Sequence, residues 1–138
     1  MDKKRYIRRE TVHAMNQLTL GLITVLFSVS VAAEWVKVGA NAKAVTYIDH
    51  QTIRKDGDFR RVWELSNNVT PDELGVRSAR ALFEYDCKNE QFRFLSGTFF
   101  SGQMSEGEIL KIENRPSAWY PIPPNTIPLD VLTIVCTQ

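Results

Sequence analysis

Residues 78–100 read SARALFEYDCKNEQFRFLSGTFF, two runs of β-formers separated by Cys87-Lys88-Asn89-Glu90. Side chains alternate between the faces of a strand, so a hairpin turning at Lys88-Asn89 sets Tyr85 against Phe92, Phe83 against Phe94, Ala81 against Ser96 and Ala79 against Thr98 on one face. The other face sets Glu84 against Arg93 and Leu82 against Leu95. One register thus creates an aromatic ladder and an opposite-charge pair together, and a slip of one residue destroys both. Ala79 and Ala81 are small, and beside the ladder they leave a hollow for another element to fill.

Cys87 continues the alternation of residues 79, 81, 83 and 85, which puts it on the ladder face. The other cysteine, Cys136, closes an apolar stretch that carries helix-start signals. Thr126 is placed to cap, Pro128 suits the first turn, and Asp130 favours the positive end of a helix dipole. If the chain is exported, as its N-terminus implies, two cysteines read as one disulfide. Such a bond would pull the short helix onto the ladder face. The expected fold is α+β, mainly β: an antiparallel sheet of about six strands with a short C-terminal helix disulfide-tethered to one face.

The remaining strands are shorter. Trp35–Val38 and Ala44–Ile48 are the first two, followed by Asp49, whose carboxylate can accept backbone N–H groups and fix a turn ahead of Thr52. Lys55-Asp56-Gly57-Asp58 is a reverse turn joining a strand near Ile53 to one over Phe59–Asn67. Its register stays open, since two-residue and three-residue loops put Ile53 on opposite faces relative to Trp63. Thr70-Pro71-Asp72-Glu73 has the form of a helix start that Gly75 stops within a turn, leaving a connector. Gly102–Gly107 is a turn leading to an edge strand over Glu108–Ile112. Residues 115–128 hold five of the six prolines around Trp119 and Tyr120. They are expected to be extended and to lack sheet pairing of their own.

Lys3, Lys4, Arg5, Arg8 and Arg9 precede an uncharged run from Leu18 to Ala33, the charged-then-apolar order of a secretory signal. Val31-Ala32-Ala33 suits signal peptidase, so cleavage is expected before Glu34, with residues 34–138 as one domain. The competing reading, an uncleaved anchor, needs a longer apolar run than this one. No cysteine lies at the cleavage point, which speaks against a lipoprotein. Removing residues 1–33 takes away five basic and two acidic side chains and turns the formal charge of +1 into −2. Nucleic acid as a partner needs a basic stripe that this balance does not supply.

Glu84 and Asp86, two apart on one strand face, are the available acid and base pair, as in a hydrolase. The competing reading is a charge ladder of Glu64, Glu84 and Asp86 with the arginines. Asp49-His50 are sequence neighbours, and neighbours on a strand point apart, so they make no relay. His50 is the one histidine after residue 33, and no Cys-x-x-Cys occurs, so neither metal nor cofactor is expected. By alternation Arg60, Arg80 and Arg93 share the face away from the helix, where an anionic ligand could dock. Phe99, Trp119 and Tyr120 are the aromatics to test for exposure, because exposed aromatics anchor binding surfaces.

Trp35, Tyr47-Ile48-Asp49 with Thr52-Ile53, Arg60-Arg61-Val62-Trp63-Glu64-Leu65, Glu84-Tyr85-Asp86-Cys87, Ser101-Gly102 with Gly107, Trp119 with Ile122 and Pro124, and terminal Cys136 follow in an order that resembles the surface-adhesin protein E-like domain of Gram-negative bacteria. The resemblance spans nearly all of residues 34–138. It implies a multi-stranded antiparallel sheet with a C-terminal helix held on its concave face by the disulfide. It also implies a non-catalytic envelope protein that binds host matrix or envelope proteins, in the periplasm or at the cell surface. Family contact residues do not carry over, because the shared pattern does not define surface positions. Arg60, Arg80, Arg93, Trp119 and Tyr120 are this chain's own candidates for ligand binding. A periplasmic hydrolase or hydrolase inhibitor using Glu84 and Asp86 is the alternative, a purely structural assembly subunit forming a concentration-dependent oligomer is a third reading, and a homodimer is among the expected partners.

Overall fold

The structure is a computed structural model, and it describes residues 32–138. All but the last two residues of the expected signal segment lie outside the described residues. The elements are β1 (Trp35–Ala40), β2 (Ala44–Asp49), β3 (Arg54–Asp56), β4 (Phe59–Asn68), β5 (Ser78–Asp86), β6 (Gln91–Phe100), β7 (Ile109–Glu113), β8 (Tyr120–Pro121) and the helix α1 (Ile127–Cys136). They form one antiparallel sheet whose main path is β1-β2-β4-β5-β6-β7. The short β3 lies beside β4 and β8 beside β6, which brings the total to eight strands.

The central hairpin keeps the expected register near its turn, with Tyr85 opposite Phe92, Glu84 opposite Arg93 and Phe83 opposite Phe94. Asp86 fixes that turn by accepting the backbone N–H groups of Lys88 and Asn89 at 3.0 Å each. Beyond Phe94 the register shifts by one residue, so Leu82 meets Ser96, Ala81 meets Gly97 and Ala79 meets Phe99. The expected partners Leu95, Ser96 and Thr98 are therefore displaced by a bulge at Leu95. A bulge adds one unpaired residue, which reverses the alternation beyond it and sends Phe99 to the ladder face. Gly97 is required there, because an added Cβ would lie 2.9 Å from the Phe94 ring and 3.0 Å from the Ala81 Cβ.

Local chemistry sets the other turns. Asp49 accepts the Gln51 N–H at 3.0 Å and caps a single 3₁₀ turn over His50–Thr52. Thr52 then donates to the Asp49 carbonyl and accepts the Trp63 N–H, tying the turn to β4. The β3–β4 hairpin takes the two-residue loop, with Asp56 opposite Phe59 and Gly57 at φ 56°. That choice puts Ile53 against the core under the helix. The connector after β4 forms no helix: Asp72, rather than Thr70, organises it, accepting the N–H groups of Leu74 and Val76. The proline-rich stretch does pair with the sheet, contrary to expectation, through Tyr120 opposite Phe92 and Pro121 opposite Gln91. Ser117 continues the attachment by donating its N–H to the Phe94 carbonyl and accepting the Phe94 N–H.

The helix α1 begins after Thr126 and carries Asp130 in its first turn, but Thr126 does not cap it as expected, because its hydroxyl donates to the Pro123 carbonyl at 2.8 Å. It buries Val131, Leu132 and Val135 against Ile48, Val62 and Tyr85 on the ladder face. Cys136, its last residue, is disulfide-bonded to Cys87 at the end of β5, with Cα atoms 5.8 Å apart. The bond closes a loop of sequence separation 49. Loop-closure entropy for that length amounts to about 4 kcal/mol of stability. Replacing both cysteines by alanine is expected to cost about that amount in a urea melt and to leave the hairpin in place, and an unchanged midpoint would contradict the clamp.

Candidate functional site

The two faces of the sheet carry different chemistry. On the face away from α1, Glu84 is buried and clasped by two arginines, Arg61 and Arg93, each at 2.7 Å. The Arg93 guanidinium lies 4.6 Å from the centre of the Trp119 ring, and Phe59 packs against that ring at 5.7 Å. Farther along β5, Arg80 lies 5.8 Å from the Trp63 ring centre. Trp35, Trp63 and Arg80 line a cleft of about 300 Å³ floored by Asp49 and Thr52. Such stacking fixes long cationic side chains in place while leaving their edges free to donate.

On the helix side, the buried residues of α1 cover the Cys87 end of the ladder, and only its first turn reaches the rest. The part beside Ala79 and Ala81 stays open as an apolar hollow of about 340 Å³, walled by Phe83, Phe92, Phe94 and Phe99. Glu64 projects into it and accepts a short hydrogen bond from the Tyr85 hydroxyl. Burial pushes its carboxyl up from 4.5 to about 7, against the opposing effect of the Tyr85 hydrogen bond. The Tyr85 phenol in turn is driven well above its usual range by burial and by the neighbouring Glu64.

This arrangement corrects part of the outer face expected from alternation. Arg60 pairs with Tyr85 and points to the helix side, where it is buried and donates to the carbonyls of Gly57 and Phe59. Arg61 takes its place beside Glu84. Glu64 likewise leaves the expected charge ladder for the hollow. Arg80, Arg93 and Trp119 do lie together on the outer face, Arg80 exposed and the other two half-buried. Tyr120 pairs with Phe92, so it faces the helix side, where it is 53% exposed. Phe99 is half-buried in the wall of the hollow. The reason is that residues 60, 62, 64 and 66 and residues 61, 63, 65 and 67 are about equally mixed in polarity, so β4 has no self-evident buried face.

Glu84 and Asp86 are both committed elsewhere. Burial alone would raise the Glu84 carboxyl, but the hydrogen bonds and charges of Arg61 and Arg93 outweigh it and hold the group below its ordinary value. Asp86 is held low first by the Asn89 side-chain amide and then by the backbone N–H groups of the turn. A general acid needs the opposite shift. Among the described residues no group of three or more His, Cys, Asp and Glu side chains is placed to hold a metal ion. None of the described helices is long and apolar enough to cross a membrane.

A single antiparallel sheet, one face clamped under a disulfide-tethered helix and the other set with stacked arginines and tryptophans, defines a small helix-on-sheet domain whose two faces differ in chemistry. The sequence profile of the family described as Surface-adhesin protein E matches residues 35–137, and the chain belongs to that family. Among solved structures it is similar to protein E of Haemophilus influenzae, with TM-score 0.57 and 17% identity over 78% of this chain and 86% of that one. A selenomethionine form of the same protein aligns with TM-score 0.53 and 16% identity over 73% and 91% of the two chains. At that identity the likeness shows the shared fold. No curated protein sequence matches the chain.

The two glutamates should titrate in opposite senses. Glu84 is held below its ordinary 4.5, so its contribution is complete at neutral pH and fades as pH falls through the lowered value. Glu84→Gln should cost about 2 kcal/mol near neutrality, and the gap to wild type should close in acid. Glu64 is raised to about 7, so the native state holds its proton while the unfolded chain has lost it, and stability falls as pH rises from 4.5 to 7. Glu64→Gln should therefore gain on wild type between about pH 5 and about pH 8 in thermal melts, and parallel curves would contradict this environment.

Proposed function

We propose that the chain is an exported cell-envelope binding protein of the surface-adhesin type, without catalytic activity, that captures a protein ligand through the sheet face opposite the helix. The ligand is a host matrix or envelope component. The observation that carries the reading is the pair of arginines laid over tryptophans on that face, Arg93 on Trp119 and Arg80 on Trp63. Arginine and tryptophan dominate the energetics of protein interfaces, because they offer large contact area and charged donors with little freedom left to lose. Arg61 and Arg93 are held by Glu84, whereas Arg80 is exposed and stacked on Trp63, so its guanidinium edge suits a carboxylate on the partner. The family match supports an adhesive role.

Export rests on the N-terminal charge and hydropathy order, with residues 1–33 as a cleaved signal and Cys87 as the first cysteine of the chain. Fractionation of the native cell with mass spectrometry of the purified protein is expected to give an unlipidated N-terminus at Glu34 in the periplasm or at the surface. A chain retaining residues 1–33, or found in the cytoplasm, would remove the export reading. Binding is tested by presenting the protein to immobilised host matrix proteins and envelope extracts. Trp119→Ala and Arg93→Ala are each expected to weaken a saturable interaction by about tenfold or more. Undiminished binding by both variants would move the contact away from this face.

A further inference from the structure

The hollow on the helix side lies apart from the proposed protein-binding face and has its own recognition chemistry. We infer that it is a binding site for a small organic cation, an ammonium group on an aromatic or short alkyl body, with Glu64 as counter-ion and the phenylalanines as the cage around the body. Its volume of about 340 Å³ is in the range of small-ligand pockets, and its walls are apolar apart from a few polar groups. Among the described residues no lysine, arginine or histidine lines it, and Glu64 is the only charged side chain that does. A neighbouring hollow of about 440 Å³, sharing Asn41, Phe92, Ile127 and Pro128 with the first, opens beside the helix start and brings a second carboxyl, Asp130. Acidic groups without a basic partner, set among aromatic faces, favour a cation over a neutral or anionic ligand.

The geometry of Glu64 fits that task. Tyr85 is its one hydrogen-bond partner among the described residues, and this bond orients the carboxyl without neutralising it. The other groups facing it are uncharged: Ala44 and Thr46 from β2, Ala81 from β5, the phenylalanines of β6, and Ile127 and Pro128 from α1. Tyr85 is the one other titratable neighbour in the lining, with Asp130 standing at the outer mouth. Lys111 lies 5.8 Å over the Phe99 ring but turns toward Glu113, so Glu64 has no basic partner in the lining and keeps its proton to about pH 7. An ammonium ion entering the hollow replaces that proton, so binding strengthens as pH rises through this range.

The test is calorimetric titration of the purified protein with phenethylammonium, against phenethyl alcohol and phenylacetate as neutral and anionic bodies of similar shape. Saturable one-to-one binding of the ammonium compound is expected at about pH 8, weaker by about tenfold at about pH 5.5, with the other two at least about tenfold weaker throughout. Glu64→Gln retains an acceptor for Tyr85 and is expected to reduce ammonium affinity about tenfold and to abolish its pH dependence. Ala79→Leu narrows the hollow without touching Glu64 and is expected to weaken all three compounds. The ligand series on the wild-type protein decides the matter independently of any variant. Equal or tighter binding of the alcohol or the carboxylate, or no saturable binding of the ammonium compound, overturns the inference. Loss of protein capture on changing Arg93 or Trp119 has no bearing on it.

Discussion

The covalent tie between Cys87 and Cys136 is the constraint on which the rest of the molecule depends. A helix of ten residues is too short to persist alone in water, and most of its stability comes from burying an apolar face. Here its last residue is fixed to the end of β5, while Ile127 at its start lies close to Gly39 on β1. Held at both ends, it presses Val131, Leu132 and Val135 onto Ile48, Val62 and Tyr85. Its placement decides what is left uncovered. The far half of the ladder, beside Ala79 and Ala81, is bordered only by the first turn of α1 and becomes the hollow.

Two glutamates illustrate how the sheet separates its functions. Glu84 and Glu64 are the same residue type, and adjacent strands carry them on opposite faces. Glu84 meets two guanidinium groups, stays ionised and serves to hold Arg61 and Arg93 in position around Trp119. Glu64 meets phenyl rings and a phenol, takes up a proton near neutrality and has no fixed counter-charge in the hollow. A desolvated carboxyl without a fixed counter-charge is costly to ionise, which keeps the proton on Glu64. The outer face instead spends its acidic group internally and presents arginine edges and tryptophan rings to solvent.

The bulge at Leu95 links the two surfaces. It leaves Arg93 and Glu84 in register on the outer side, then reverses the alternation so that Gly97 and Phe99 follow Phe94 on the inner side. Without that reversal Phe99 would point outward and the hollow would lose one wall. Ser117 stabilises the same point by bonding both backbone groups of Phe94, and the segment it belongs to delivers Trp119 to the outer face and Tyr120 to the inner one. The fold is shared with protein E of Haemophilus influenzae at 16–17% identity.

Short-range features were legible in the sequence. Alternation around a tight turn places Tyr85, Phe83, Phe92 and Phe94 on one face and Glu84 with Arg93 on the other, and an Asp49 turn, a two-cysteine tether and the start of the C-terminal helix each depend on residues close in the chain or on simple counting. The face assignment of β4 was not legible, because residues 69–77 connect it to β5 without fixing a register and its two faces have similar polarity. A shift of one residue in that pairing exchanges Arg60 for Arg61 and moves Glu64 from the surface to the hollow. The bulge and the pairing of Tyr120 with Phe92 also arise only when the whole sheet is assembled, since they answer to neighbours far away in sequence. The sequence by itself determined which residues share a face within each strand and that a disulfide ties the helix down. Tertiary structure decided which faces meet, because alignment between strands joined by a long loop is set by the packing of the complete core.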